Sequence, residues 1–200
     1  INNSVMVTAS NVKGKVNIPK VEEEKNQINK LFSGTKNMTN LKSDINNLDS
    51  LFRSGNADLI HFACHGKFEP NGGVSKIYLN DGVFSSSWLS NPEYKLNEQN
   101  PLVFINACQS GQMGYALSSM SGWVVEFNKA GAGIFIGPMW IVEDLAALKF
   151  AKGVYQNLLN GNKLGEAVRK TRNSLKLNDN TFTWLAYTVY GDPNAKIRLN

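Results

Sequence analysis

Two short segments carry residues able to do covalent chemistry. Ile60-His61-Phe62-Ala63-Cys64-His65-Gly66 and Phe104-Ile105-Asn106-Ala107-Cys108-Gln109-Ser110-Gly111 each read as a buried β-strand ending in a reactive side chain, with glycine soon after. The first delivers His65 and the second Cys108, 43 positions later. A thiol attacks only as the thiolate, and a neighbouring imidazole is the usual group that takes its proton. Two parallel strands lying side by side would bring both groups to one sheet edge, where open α/β sheets bind ligands. The chemistry on offer is nucleophilic attack by Cys108 with His65 as its base. A lone cysteine or histidine is more often a core residue, and Cys64 and His61 are read in that way. For His65 and Cys108, the paired glycines Gly66 and Gly111, the matched strand ends and the spacing favour catalysis.

Composition sets broad bounds on what surrounds this pair. With 200 residues the chain suits one domain over 1–200, long enough to bury a core without staples. Hydrophobic residues make up 42% and charged residues 18%, which excludes a disordered tail. No apolar run approaches the length of a membrane span, so no membrane is expected. Ile1-Asn2-Asn3-Ser4 shows no basic region before an apolar stretch and no initiator methionine, which reads as a fragment of a longer chain. Two cysteines without framework spacing point to a reducing cytoplasm, which also disfavours a Cys64–Cys108 disulfide. The net charge of +5 is scattered, and Arg169-Lys170-Thr171-Arg172 is the one local cluster. That cluster lies on an amphipathic helix, where a solvated face is the ordinary explanation, so direct nucleic-acid binding is not expected.

Strands and helices alternate along the chain. Val5–Thr8 reads as a first strand, and Pro19 suits the first turn of a helix running to about Phe32. A polar strand is expected near Lys36–Thr39. Ser43 then caps a short helix whose Ile45, Leu48, Leu51 and Phe52 share a face, with Gly55 beyond its end. Asp58–Cys64 is apolar on both faces, as central parallel strands are. Ile77–Phe84 reads as a β-hairpin turning at Asn80-Asp81-Gly82. Pro101–Cys108 is the next strand, followed by a Gly-, Ser- and Met-rich mobile segment over Gln112–Gly122 and a helix over Trp123–Lys129. A strand at Gly133–Gly137, long helices at Glu143–Asn160 and Leu164–Leu177, and a last strand at Leu185–Tyr190 complete the pattern. Such alternation implies an α/β fold: a mostly parallel six-stranded sheet, helices on both faces, and a hairpin inserted between the two reactive strands.

Several other chemistries drop out. Gly131-Ala132-Gly133 opens a strand instead of joining a strand to a helix, which argues against a dinucleotide loop. Neither a phosphate-cradling Gly-Lys-Ser/Thr loop nor a Gly-x-Ser-x-Gly elbow occurs. Alternation along a strand puts His61 and His65 on one face and Cys64 on the other, so a zinc site is not expected.

The His-Gly and Asn-Ala-Cys-Gln-Ser-Gly segments resemble those of caspase-like cysteine peptidases, whose histidine lies about 50 residues ahead of the cysteine. The chain as a whole resembles the CHAT domain, a caspase-related module often found behind tetratricopeptide repeats in bacteria. The likeness extends through Pro19–Glu24, Ala130-Gly131-Ala132, the stretch Met139-Trp140-Ile141-Val142-Glu143-Asp144, Ala167-Val168-Arg169 and Trp184 to Pro193. Asn106 and Ser110 depart from the cysteine motif of caspases themselves.

This resemblance implies a Cys–His dyad cutting a peptide bond, with backbone N–H groups of Gly66 and Cys108 holding the oxyanion and no cofactor or metal. Asn106 matches a position lining the primary pocket of caspases. Asp144, with Trp140, matches a segment forming that pocket wall in separases, so Asp144 could attract a basic side chain. The commoner role of such an acid is to meet the dipole of a helix's first turn, and an apolar pocket of Trp140 and Met139 stays open. Relatives imply a protein substrate, a regulatory protein or ribonucleoprotein partner acting through flanking regions, and a place in bacterial immunity beside RNA-guided effectors. The alternative is a catalytically silent scaffold that binds a protein partner.

Overall fold

The computed structural model describes residues 2–197 other than 16, 34–37, 68–73, 109–115 and 179–181, with backbone alone at 108, 116–121 and 178. Among these residues there are eight strands and six α-helices: β1 (Ser4–Ala9), α1 (Lys20–Phe32), β2 (Thr39–Leu41), α2 (Ile45–Ser54), β3 (Leu59–Lys67), β4 (Lys76–Tyr78), β5 (Val83–Ser85), β6 (Leu102–Cys108), α3 (Ala116–Lys129), β7 (Ile134–Pro138), α4 (Asp144–Leu159), α5 (Leu164–Asn178), α6 (Thr183–Ala186) and β8 (Tyr187–Tyr190). Six strands follow one path, β2-β1-β3-β6-β7-β8, and β4 and β5 form a hairpin attached to β3. Every pairing on the path is parallel except β7 with β8. The mostly parallel sheet and the inserted hairpin are as the sequence pattern led us to expect.

The central strands alternate their apolar side chains between two cores. Ile60, Phe62 and Cys64 of β3 pack with Leu48 and Phe52 of α2 and Trp123 and Phe127 of α3. Leu59, and Phe104 of β6, pack on the other face with Ile28 and Phe32 of α1 and Phe150 and Val154 of α4. Cys64 thus has the core place expected of it. Gly153 sits where α4 crosses α5: a Cβ there would come 2.8 Å from Thr171 Cγ2, so glycine permits the close approach. Among the described residues no helix is long and apolar enough to cross a membrane.

Four local expectations are corrected. The cap of α2 is Asp44, whose side chain accepts from the Asn47 N–H, and not Ser43. Asp44 has the extended backbone a cap needs, whereas the Ser43 hydroxyl is buried without a hydrogen-bond partner. Strand β3 runs past Cys64 to Lys67, because β4 takes up antiparallel pairing at His65 where β1 has ended. The backbone over 116–122 is the start of α3 and not a loop, while 112–115 lie outside the described residues. Leu185 and Ala186 belong to the turn of α6, so the last strand begins at Tyr187.

The corrected cap is testable. Asp44→Ala should lower the midpoint of thermal unfolding, because orphan N–H groups of α2 lose their acceptor. Ser43→Ala should leave the midpoint unchanged or raise it, since the buried hydroxyl it removes is unsatisfied. The reverse order would restore Ser43 as the cap.

Candidate active site

The parallel ladder of β3 and β6 pairs seven Cα positions, from Leu59↔Leu102 to His65↔Cys108. Adjacent strands lie about 4.8 Å apart, so the backbones of His65 and Cys108 stand side by side at the C-terminal edge of the sheet. Cys108 ends its strand, while His65 continues into Gly66, which pairs with Ile77 of the hairpin. The His65 side chain is 5% exposed.

Beside this pair a narrow cleft opens between α1, β6 and the start of α4. Glu24, Asn106 and Asp144 line it with Ile18, Lys20 and Val21, and it has room (≈ 10 Å³) for about one water molecule. Asp144 is the first residue of α4, so the helix-start position expected of it holds, and the same carboxylate also faces the cleft. Burial holds its carboxyl above the usual carboxylate range; nearby positive charge on His65 opposes this, and the negative charges of Glu24 and Glu143 add to it. Trp140, 39% exposed, lies in the connection from β7 to α4 and is not among the residues lining the cleft.

Under the cleft lies a polar network within the otherwise apolar core. Glu24 Oε1 accepts from His61 Nε2 at 2.9 Å and from Asn106 Nδ2 at 2.7 Å. His61 Nδ1 meets the Tyr155 hydroxyl at 3.0 Å, and the Tyr187 hydroxyl donates to Asn106 Oδ1. Nε2–H donates to the carboxylate, which leaves Nδ1 to the Tyr155 hydroxyl. Complete burial raises the Tyr155 phenol well above its ordinary value, with the negative charge of Glu24 adding to this, which keeps it protonated. Asn106 therefore lines the cleft with its amide engaged on both sides.

Sequence reasoning missed Glu24 as part of this site. Its signal was present: Val21, Ile28 and Phe32 form the buried stripe of α1, and Glu24 interrupts that stripe one turn after Val21. A carboxylate on the core face of an amphipathic helix requires a buried partner. Among the described residues, no group of three or more His, Cys, Asp and Glu side chains could hold a metal ion.

The model of the CHAT domain family matches residues 3–192. No curated protein matches the sequence. The initiator caspase Dronc of Drosophila superposes with a TM-score of 0.60 at 11% identity, covering 97% of this chain and 80% of that one. Caspase-1 from Spodoptera frugiperda gives 0.60 at 9%, covering 95% and 86%. The Arg-specific cysteine proteinase gingipain R of Porphyromonas gingivalis gives 0.65 at 15%, covering 98% of this chain and 47% of that one, about half its length. At such identities the likeness establishes a common fold.

The raised carboxyl of Asp144 has a consequence for stability. Its folded-state value lies above its unfolded one, so its contribution to folding is present at low pH and lost as pH rises through the shifted value. Asp144→Asn should therefore stabilise the protein against urea at neutral pH. That advantage should shrink below about pH 4, where the unfolded carboxyl is protonated too. An unchanged difference at both pH values would contradict the shift.

Proposed function

Since the chain belongs to the CHAT domain family, we propose that it is a cysteine endopeptidase working through a His65–Cys108 dyad on a protein target. The observation that carries this reading is the register of β3 and β6, which sets the two residues next to each other. His65 takes the proton of the Cys108 thiol, the thiolate attacks the peptide carbonyl, and the imidazolium returns the proton to the leaving amine. Backbone N–H groups of Gly66 and Cys108 receive the developing oxyanion. Water then releases the acyl group, and no metal or organic cofactor takes part.

The cleft beside the dyad is the proposed specificity pocket. Asn106 forms its floor, Asp144 and Glu24 supply negative charge, and Trp140 flanks the approach. Two carboxylates in one cleft suit a lysine or arginine side chain, and the Asp144 carboxylate is destabilised where it stands until such a cation arrives. The narrowness of the cleft favours a regulated enzyme, opened when a protein or ribonucleoprotein partner engages regions flanking this domain. Limited proteolysis in a bacterial defence or signalling pathway is the proposed setting, in the cytoplasm.

Mass spectrometry of proteins cut by the full-length molecule tests both layers. Cys108→Ala and His65→Ala should each lower kcat/KM by about 10⁴-fold or more. Cuts should follow basic residues, and Asp144→Ala should weaken that preference. Apolar residues before the cut would overturn the acidic pocket alone. Cleavage that persists in Cys108→Ala would overturn the dyad, and an uncut partner retained equally by both forms would support a silent scaffold.

A further inference from the structure

Strand β8 ends the sheet path, so among the described residues one of its edges has no strand beside it. The Met139 N–H donates to the Ala186 carbonyl, which turns that group toward β7. Alternation then directs the backbone groups of Tyr187 and Val189 to the outer edge. Consistent with this, Arg172 Nη2 donates to the Tyr187 carbonyl at 2.6 Å. The next outward N–H and C=O, on Val189, have no such partner among the described residues.

A groove of ≈ 490 Å³ follows this edge between β8 and α5, lined by Arg169, Arg172, Trp184 and Val189 among others. Its charge is unbalanced. Arg53 elsewhere is paired with Asp49 and Glu93, whereas Arg169 and Arg172 meet no carboxylate among the described residues. The Arg172 Nε is buried without an acceptor, and burial lowers the pKa of its guanidinium. Lys176 lies one turn further along α5, over the Trp184 ring at 5.1 Å. Leu185 and Tyr190, 42% and 49% exposed, supply apolar surface on the segments flanking the groove.

We propose that the β8 edge and the basic face of α5 form a docking groove for an extended, acidic segment of a partner protein, which pairs with Val189 and sets its carboxylates against Arg169 and Arg172. Strand addition supplies the affinity through main-chain hydrogen bonds, and the arginines select acidic side chains. A second copy of this chain fits poorly. Pairing β8 with β8 about a two-fold axis would bring the uncompensated arginines of both copies together, and cations beside an open edge disfavour such self-pairing. A single small anion would leave the Val189 backbone unused.

The test is titration of the isotopically labelled chain, followed by amide NMR, with the probe heptapeptide Glu-Val-Glu-Val-Glu-Val-Glu and its Lys-Val counterpart. The acidic peptide should shift the Val189 amide and the Trp184 indole, and the basic one should shift neither. Arg169→Glu, at an exposed site, should weaken binding by about tenfold. Val189→Pro removes the outward N–H at an edge position and should abolish the shifts while the remaining spectrum is retained. Equal competition by inorganic phosphate would reduce the groove to a small-anion site. Concentration-dependent dimerisation through Val189 without peptide would assign the edge to a second copy, and no shift with the acidic peptide would end the proposal.

Discussion

The parallel pairing of β3 with β6 governs the rest of this molecule. A one-residue slip in a strand buried on both faces would exchange the side chains of its two faces. Ile60 and Phe62 would leave the core shared with α2 and α3, and Leu59 would leave the core beneath α1 and α4. Hydrophobic packing on two sides thus fixes the register, and the register in turn sets His65 beside Cys108. The site's geometry is inherited from burial some distance below it. The pairing is anchored where it begins, with the Leu102 N–H donating to the Asp58 carbonyl at 2.9 Å.

The buried polar network is a second constraint on the same edge. Through Glu24, His61, Asn106, Tyr155 and Tyr187 it joins α1, β3, β6, α4 and β8. A buried pair of this kind contributes little net stability, yet removing one member costs about 3–5 kcal/mol because the other is stranded. Such a network specifies one arrangement of α1 over the sheet more than it strengthens it. It also holds Glu24 and Asn106 at the base of the cleft that Asp144 closes.

Much of this was legible in the chain because burial on both faces leaves a plain mark. The apolar runs around Phe62 and Ile105, the turn at Asn80-Asp81-Gly82 and the apolar face of α2 each announce one element. Glycine at 55, with φ of 64°, marks the end of α2 because a side chain is strained there. What stayed hidden depends on partners distant in sequence. β3 extends past His65 to Lys67 because the hairpin folds back to pair with it. Asp44 and Ser43 both suit a cap, and the structure chooses by backbone conformation. Glu24 interrupts the apolar stripe of α1, yet nothing local shows that its partners will be His61 and Asn106, 37 and 82 positions away.

The proximity at the heart of this account can be measured without a substrate. The rate of Cys108 alkylation by iodoacetamide, followed across pH, reports the fraction present as thiolate. An imidazolium beside it should place the midpoint well below the ordinary thiol value of about 8.5, and His65→Ala should return it toward that value. Identical profiles for the native chain and for His65→Ala would contradict the pairing of the two groups.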